Sequence, residues 1–172
     1  GKSNWCILES DESDGSFLDI PVTYSIVTNI DEEHIDYYKS INNLEKSFCD
    51  FVNKTPSFGK SFICLDDKRN KKILKKIKNK NYLTYGNDKE SNFLIKNVKQ
   101  TKQYSEFDVL ITLPSQKNIN LKKISIPMIG FHNVRNATAA LAVSYSIGVP
   151  LKIIKKGLKN YQGVQRRFNH VF

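Results

Sequence analysis

Apolar residues along this chain fall into two textures. Short β-prone runs at 5–8, 23–28, 61–65 and 82–85 each end in polar or turn-forming residues. Between them lie stretches of helical period. Residues 37–52 carry Ile41, Leu44, Phe48, Phe51 and Val52 at spacings of three and four, which predicts an amphipathic helix. Residues 68–80 carry Ile73, Leu74 and Ile77 among lysines, which predicts a second helix with a solvated basic face. Strand and helix in alternation predict parallel pairing.

The texture changes after Gly86. Runs at 93–98, 106–113 and 121–126 are β-prone and separated by turn residues, with no helical stretch between them. They predict a small antiparallel β insertion. Residues 137–147 then form an alanine-rich helical stretch with Gly148 past its end, and Pro150 opens a last helix bearing Leu151, Ile154 and Leu158 on one face. The expected fold is α/β, a mainly parallel sheet flanked by helices. One ordinary domain accounts for 172 residues, and no internal repeat interrupts it.

A composition 40% apolar and 26% charged is that of a globular chain, and no apolar run approaches the ~20 residues of a membrane helix. The net charge of +10 is spread along the sequence rather than interleaved with aromatics in one segment, so it argues against nucleic-acid binding and is equally suited to attracting anionic nucleotides. Cys6, Cys49 and Cys64 form no CxxC and are odd in number, as expected of reduced, buried thiols in a cytoplasmic protein. The chain opens on Gly1 and its only methionine is Met128, which reads as an excerpt from a longer protein. Gly1-Lys2-Ser3 has the look of a phosphate-loop tail, but it leads into a β-prone run instead of a helix and reads as an ordinary loop.

Candidate chemistry gathers at the ends of the first two β-prone runs. One enters Glu9-Ser10-Asp11-Glu12-Ser13-Asp14, the other Asp31-Glu32-Glu33-His34-Ile35-Asp36. In open α/β sheets ligands sit at the carboxyl ends of strands, where a carboxylate and a His can hold a hard cation against phosphate. Acidic loops are also commonly just solvated. Asn133 and Asn136 stand one helical turn apart at a helix start; a carboxamide suits a nucleobase edge, and an Asn there also serves as an N-cap. Arg166-Arg167 is either a surface pair or a source of charge beside a triphosphate.

Four motifs occur in order: Glu9-Ser10-Asp11-Glu12-Ser13-Asp14-Gly15-Ser16-Phe17, then Val27-Thr28-Asn29-Ile30-Asp31-Glu32-Glu33-His34, then Gly130-Phe131-His132-Asn133-Val134-Arg135-Asn136-Ala137, then Gln162-Gly163-Val164-Gln165-Arg166-Arg167-Phe168. Together they resemble the central, ATP-binding domain of the Mur ligases, and the first and last favour its alanine-adding branch. The resemblance implies a P-loop-NTPase-like fold and makes residues 1–172 a partial central domain. It implies Glu9 and His34 as Mg²⁺ ligands, His132, Asn133 and Asn136 around the adenine, and Arg167 at the γ-phosphate, with His34 and Arg167 serving catalysis. It further implies that ATP phosphorylates the lactyl carboxylate of UDP-N-acetylmuramate and that the amine of L-alanine attacks the acyl phosphate.

The pattern is incomplete. The family's first strand and glycine-rich phosphate loop are missing, as are the N-terminal UDP-sugar domain and the C-terminal amino-acid domain, so the piece alone is expected to be inactive. Lys46 lies on the helix where several relatives carry a carbamoylated lysine, but the register falls nearer Cys49, and no such role is assigned to it. A tripeptide-recycling ligase, a folylpolyglutamate-synthase relative, or a non-catalytic basic binding module on the same fold remain alternatives.

Overall fold

The computed structural model describes residues 4–163. Six strands form one sheet in the order β1 to β6: β1 (Tyr24–Val27), β2 (Lys60–Cys64), β3 (Tyr82–Gly86), β4 (Phe93–Gln100), β5 (Ser105–Ile111) and β6 (Ile119–Ile126). β1, β2, β3 and β4 pair in parallel, and β4, β5 and β6 pair antiparallel. The antiparallel runs expected after Gly86 therefore continue the same sheet edge to edge.

The junction explains how. β3 and β4 share only Tyr85↔Phe93 and Gly86↔Leu94, so β4 starts where β3 stops. A short loop then suffices where a parallel pair ordinarily needs a crossover helix. Asn92 completes the ladder at the gap: its Oδ1 accepts from the Thr84 N–H (2.9 Å) and its Nδ2 donates to the Thr112 carbonyl (3.1 Å).

Both faces of the sheet are buried around β2 and β3, whereas β5 and β6 bury one face only. Phe62, Cys64, Tyr85 and Phe93 pack under Val134, Ala137 and Leu141 of α4 (Phe131–Ser146) and Ile154 of α5 (Leu151–Lys159). Val27 and Ile63 point the other way, onto Leu44, Phe48 and Val52 of α2 (Ile41–Asn53) and Ile73 of α3 (Lys68–Leu74). Phe62 and Ile63 are adjacent and both fully buried, the mark of a strand covered on two sides.

Three elements before Gly86 differ from expectation. Residues 5–8 form no strand, and Trp5, Ile7 and Leu8 are exposed, as is Cys6, where a buried thiol was expected. The predicted 37–52 helix is split into α1 (Ile35–Tyr38) and α2, because Lys39 turns left-handed (φ 64°) and Ser40 caps α2 by accepting from the Asn43 N–H (3.2 Å). The predicted 68–80 helix stops at Leu74. Asn53 Oδ1 accepts from the Lys78 and Asn79 N–H groups (3.0 Å each) and draws the chain into a loop, while Ile77 stays in the core. Among the described residues no helix is long and apolar enough to cross a membrane.

Glu45 fastens α2 to the α3 segment. Its carboxylate is buried and accepts from Lys72 (2.7 Å) and Lys76 (3.2 Å). Burial pushes its pKa up, but the two lysines outweigh this and hold it below the usual glutamate range. A lowered folded pKa stabilises above the unfolded value, and that contribution is lost as pH falls through the folded one. Glu45→Gln should lower stability at pH 7 by about 1–2 kcal/mol in urea denaturation. The gap from the parent should close as pH drops below about 4.3, the unfolded value; a gap unchanged down to the acid limit would contradict the ion-pair origin.

Candidate functional site

The carboxyl ends of β1, β2 and β3 open into a cleft of about 660 Å³. Its floor includes Cys64 and Tyr85 at the ends of β2 and β3, and Thr28 and Asp31 follow β1 on one side. Glu9, on the segment leading in, forms part of the wall, and the first turns of α4 form the facing side with His132, Arg135 and Asn136. Short parallel strands and the loops that leave them place these groups, as the topology of α/β sheets dictates.

Asn70, wholly buried on α3, holds this rim together. Its Nδ2 donates to the carbonyls of Thr28 (3.2 Å) and Cys64 (3.0 Å), which belong to neighbouring strand ends. Asp67 caps α3 by accepting from the Asn70 N–H (2.7 Å), and its neighbour Asp66 accepts from Asn87 N–H (2.7 Å) beyond β3. Burial pushes up both the Cys64 thiol and the Tyr85 hydroxyl, so both are neutral floor groups near pH 7.

The acidic loop is a built turn as well as a charge cluster. Asp11 accepts from Ser13 N–H (2.6 Å) and Asp14 from Ser16 N–H (2.9 Å), and these hydrogen bonds with the two serines hold both carboxyls below their usual range. His34 adds a smaller attraction to Asp11, so the two loops neighbour each other. Gly15 takes a left-handed φ of 75°, with the Tyr37 hydroxyl 2.6 Å from where a Cβ would sit. The Tyr38 hydroxyl donates to the Glu12 carbonyl, and burial raises its pKa to about 12.

The structure brings Glu9, His132 and Asn136 to one cleft. His34 and Asn133 are not among its lining residues. His34 adopts a left-handed φ of 57° ahead of α1, its imidazole 3.9 Å from the Glu33 carboxylate. Asn133 is no N-cap: Gly130 takes that place, α4 begins at Phe131, and the Asn133 amide donates to Ile129 O (2.7 Å). Arg166 and Arg167, like Gly1-Lys2-Ser3, lie outside the described residues. Among the described residues no three His, Cys, Asp or Glu side chains converge on a metal-sized point. Asp31, from the second acidic segment, also lines the cleft. Arg135 is given no role by motif reasoning; a helical projection from His132 would flag it.

Residues 3–144 match the family model of the Mur ligase middle domain. The chain belongs to the Mur ligase middle domain family. It is 62% identical, over all 172 residues, to a UDP-N-acetylmuramate–L-alanine ligase of Pelagibacter ubique (strain HTCC1062) and spans 37% of that relative's length. Among solved structures, a UDP-N-acetylmuramate–alanine ligase of Thermotoga maritima superposes with a TM-score of 0.73 at 23% identity, over 94% of this chain and 34% of that one. A MurF ligase of the same organism, in complex with ADP, gives a TM-score of 0.61 at 16% identity over 87% and 33%. At such identities the likeness is one of fold.

The Tyr38 hydroxyl is the tie between the acidic loop and α1. Tyr38→Phe should cost about 1 kcal/mol of stability and speed limited-proteolysis cleavage after Glu9 and Glu12 several-fold, as a loosened loop opens more often. Unchanged cleavage at both positions would show that the loop is held by its own turns alone.

Proposed function

We propose that this chain is the central, ATP-binding part of a ligase that joins L-alanine to UDP-N-acetylmuramate. The observation that carries the reading is identity of 62% across the whole chain to a ligase of that name. The cleft supports it, since Glu9, His132 and Asn136, drawn from separated motifs, line one space at the strand ends. A fold neighbour in complex with ADP is consistent with a nucleotide there.

In this reading Asn136 offers a donor and an acceptor to the adenine edge, with His132 and Asn133 beside it. Glu9 and His34 would hold Mg²⁺. The cleft carboxylates suit that ion, which keeps several waters and takes one or two carboxylates plus phosphate oxygens; His34, a nitrogen donor outside the lining, rests on the motif alone. Glu9 and Asp31 supply hard oxygen donors to the cleft. When bound, Mg²⁺ supplies positive charge to the phosphate oxygens during transfer. Arg167, on motif alone, would add charge at the γ-phosphate.

The lactyl carboxylate of UDP-N-acetylmuramate attacks the γ-phosphorus and ADP leaves. The L-alanine amine then attacks the acyl phosphate, loses a proton, and the tetrahedral intermediate expels phosphate to leave the amide. The sugar nucleotide and the amino acid would be held by other parts of the ligase, since this chain spans 37% of its relative. A cytoplasmic setting fits free Cys6, Cys49 and Cys64.

The test replaces the matching segment of the Pelagibacter relative with residues 1–172 and follows ADP release with UDP-N-acetylmuramate, Mg²⁺ and ATP. L-Alanine, glycine, L-serine and tripeptide are offered in turn. Turnover should be strongest with L-alanine, and Glu9→Gln or His34→Ala should lower kcat on the order of 100-fold, with partial recovery at raised Mg²⁺. Turnover with tripeptide alone, or variants as active as the parent, would overturn the reading.

A further inference from the structure

Arg135 is the one Lys or Arg among the described residues lining the cleft, where Glu9, Asp31 and Asp67 supply carboxylates. It has no ion-pair partner among the described residues. Its guanidinium instead lies 5.6 Å from the centroid of the Phe131 ring, one helical turn back on α4. His132 and Asn136 have the same i, i+4 relation one position on. Two pairs thus run side by side along the first turns of the helix, one aromatic and cationic, the other imidazole and carboxamide.

This arrangement suits a flat ligand. A guanidinium is planar, weakly hydrated and able to stack on a π-face, and an aromatic contact on the same helix fixes its orientation before a ligand arrives. Arg135 shares the cleft with Cys64 and Tyr85, which lie at the ends of β2 and β3. The cleft carboxylates Glu9 and Asp31 come from the segments before and after β1, and they suit a metal-bound phosphate chain. Arg135 therefore belongs to the base end of the site.

We propose that Arg135 binds the nucleotide by stacking its guanidinium on the face of the purine ring whose edge Asn136 reads. The inference rests on the nucleotide reading of the cleft and assigns a specific contact within it. The stacked base would be held between that guanidinium and the β-strand floor, with Phe131 keeping the guanidinium plane in place. Lysine, a compact and strongly hydrated point charge, cannot reproduce the stack.

The experiment uses the chimeric ligase, whose turnover with parent residues independently tests the nucleotide reading. Arg135→Met keeps the apolar stem and removes the planar cation; Arg135→Lys keeps the charge alone. KM for ATP and inhibition constants for ADP and adenosine are measured for each. Arg135→Met should raise the KM for ATP about tenfold, weaken ADP and adenosine by a similar factor, and leave kcat within about twofold. Arg135→Lys should recover only a small part of the loss, with melting temperatures of both variants close to the parent's. An unchanged KM, full recovery by lysine, or a loss confined to ATP and ADP with adenosine unaffected would overturn the proposal, the last placing the guanidinium on phosphate. A variant that melts well below the parent would assign Arg135 to structure and overturn it as well.

Discussion

Parallel strands joined by crossovers must bury both of their faces, and that constraint shapes the rest of this domain. Alternation along β2 sends Phe62 toward α4 and Ile63 toward α2 and α3, so a single strand anchors two cores. With both faces covered, β2 and β3 meet solvent at their ends. At the carboxyl end the strands finish in carbonyls and loops, which the buried Asn70 amide ties across β1 and β2. The cleft exists because this end is held open but ordered, with α4 set against it on one side and the acidic loop on the other.

The antiparallel half is free of that constraint: β5 alternates buried and part-exposed residues, and only one face is covered. β4 begins where β3 ends, and the Asn92 side chain supplies the hydrogen bonds that the ladder would otherwise lack. The sheet passes from parallel to antiparallel without exposing an internal edge, and α4 and α5 cover its continuation. Local hydrophobic runs predict each strand there. They carry no information about whether the strands form a separate appendage or extend the parent sheet, because that choice is made by Asn92 and by two residue pairs.

Much of the fold is legible in local pattern, and its misreadings have local causes. The alternation of strand and helix up to Gly86 is fixed by apolar spacing, as are α4 and α5. Residues 5–8 have strand composition but form no strand, because a strand is made by its pairing and composition does not encode pairing. The break at Lys39 depends on a left-handed backbone and a Ser cap inside an otherwise unbroken helical period. Helix α4 starts at Phe131, ahead of the Asn133 cap that the sequence allowed and of the alanine-rich stretch, because Gly130 stands in for a polar cap. At the site, the motifs bring Glu9, His132 and Asn136 together over more than a hundred residues of sequence, a union that spacing alone could not establish. Arg135 escapes motif reasoning since an arginine in a basic chain carries no mark, and its meaning comes from the helix face it shares.

The central claim is that the cleft between the acidic loop, the ends of β1–β3 and the start of α4 holds the nucleotide. Hydrogen exchange on the chimeric ligase, with and without a non-hydrolysable ATP analogue and Mg²⁺, tests it most directly. Protection gained at residues 9–14, 28–34 and 131–140 together is the predicted result. Saturating analogue that leaves all three segments exchanging as before would contradict the account.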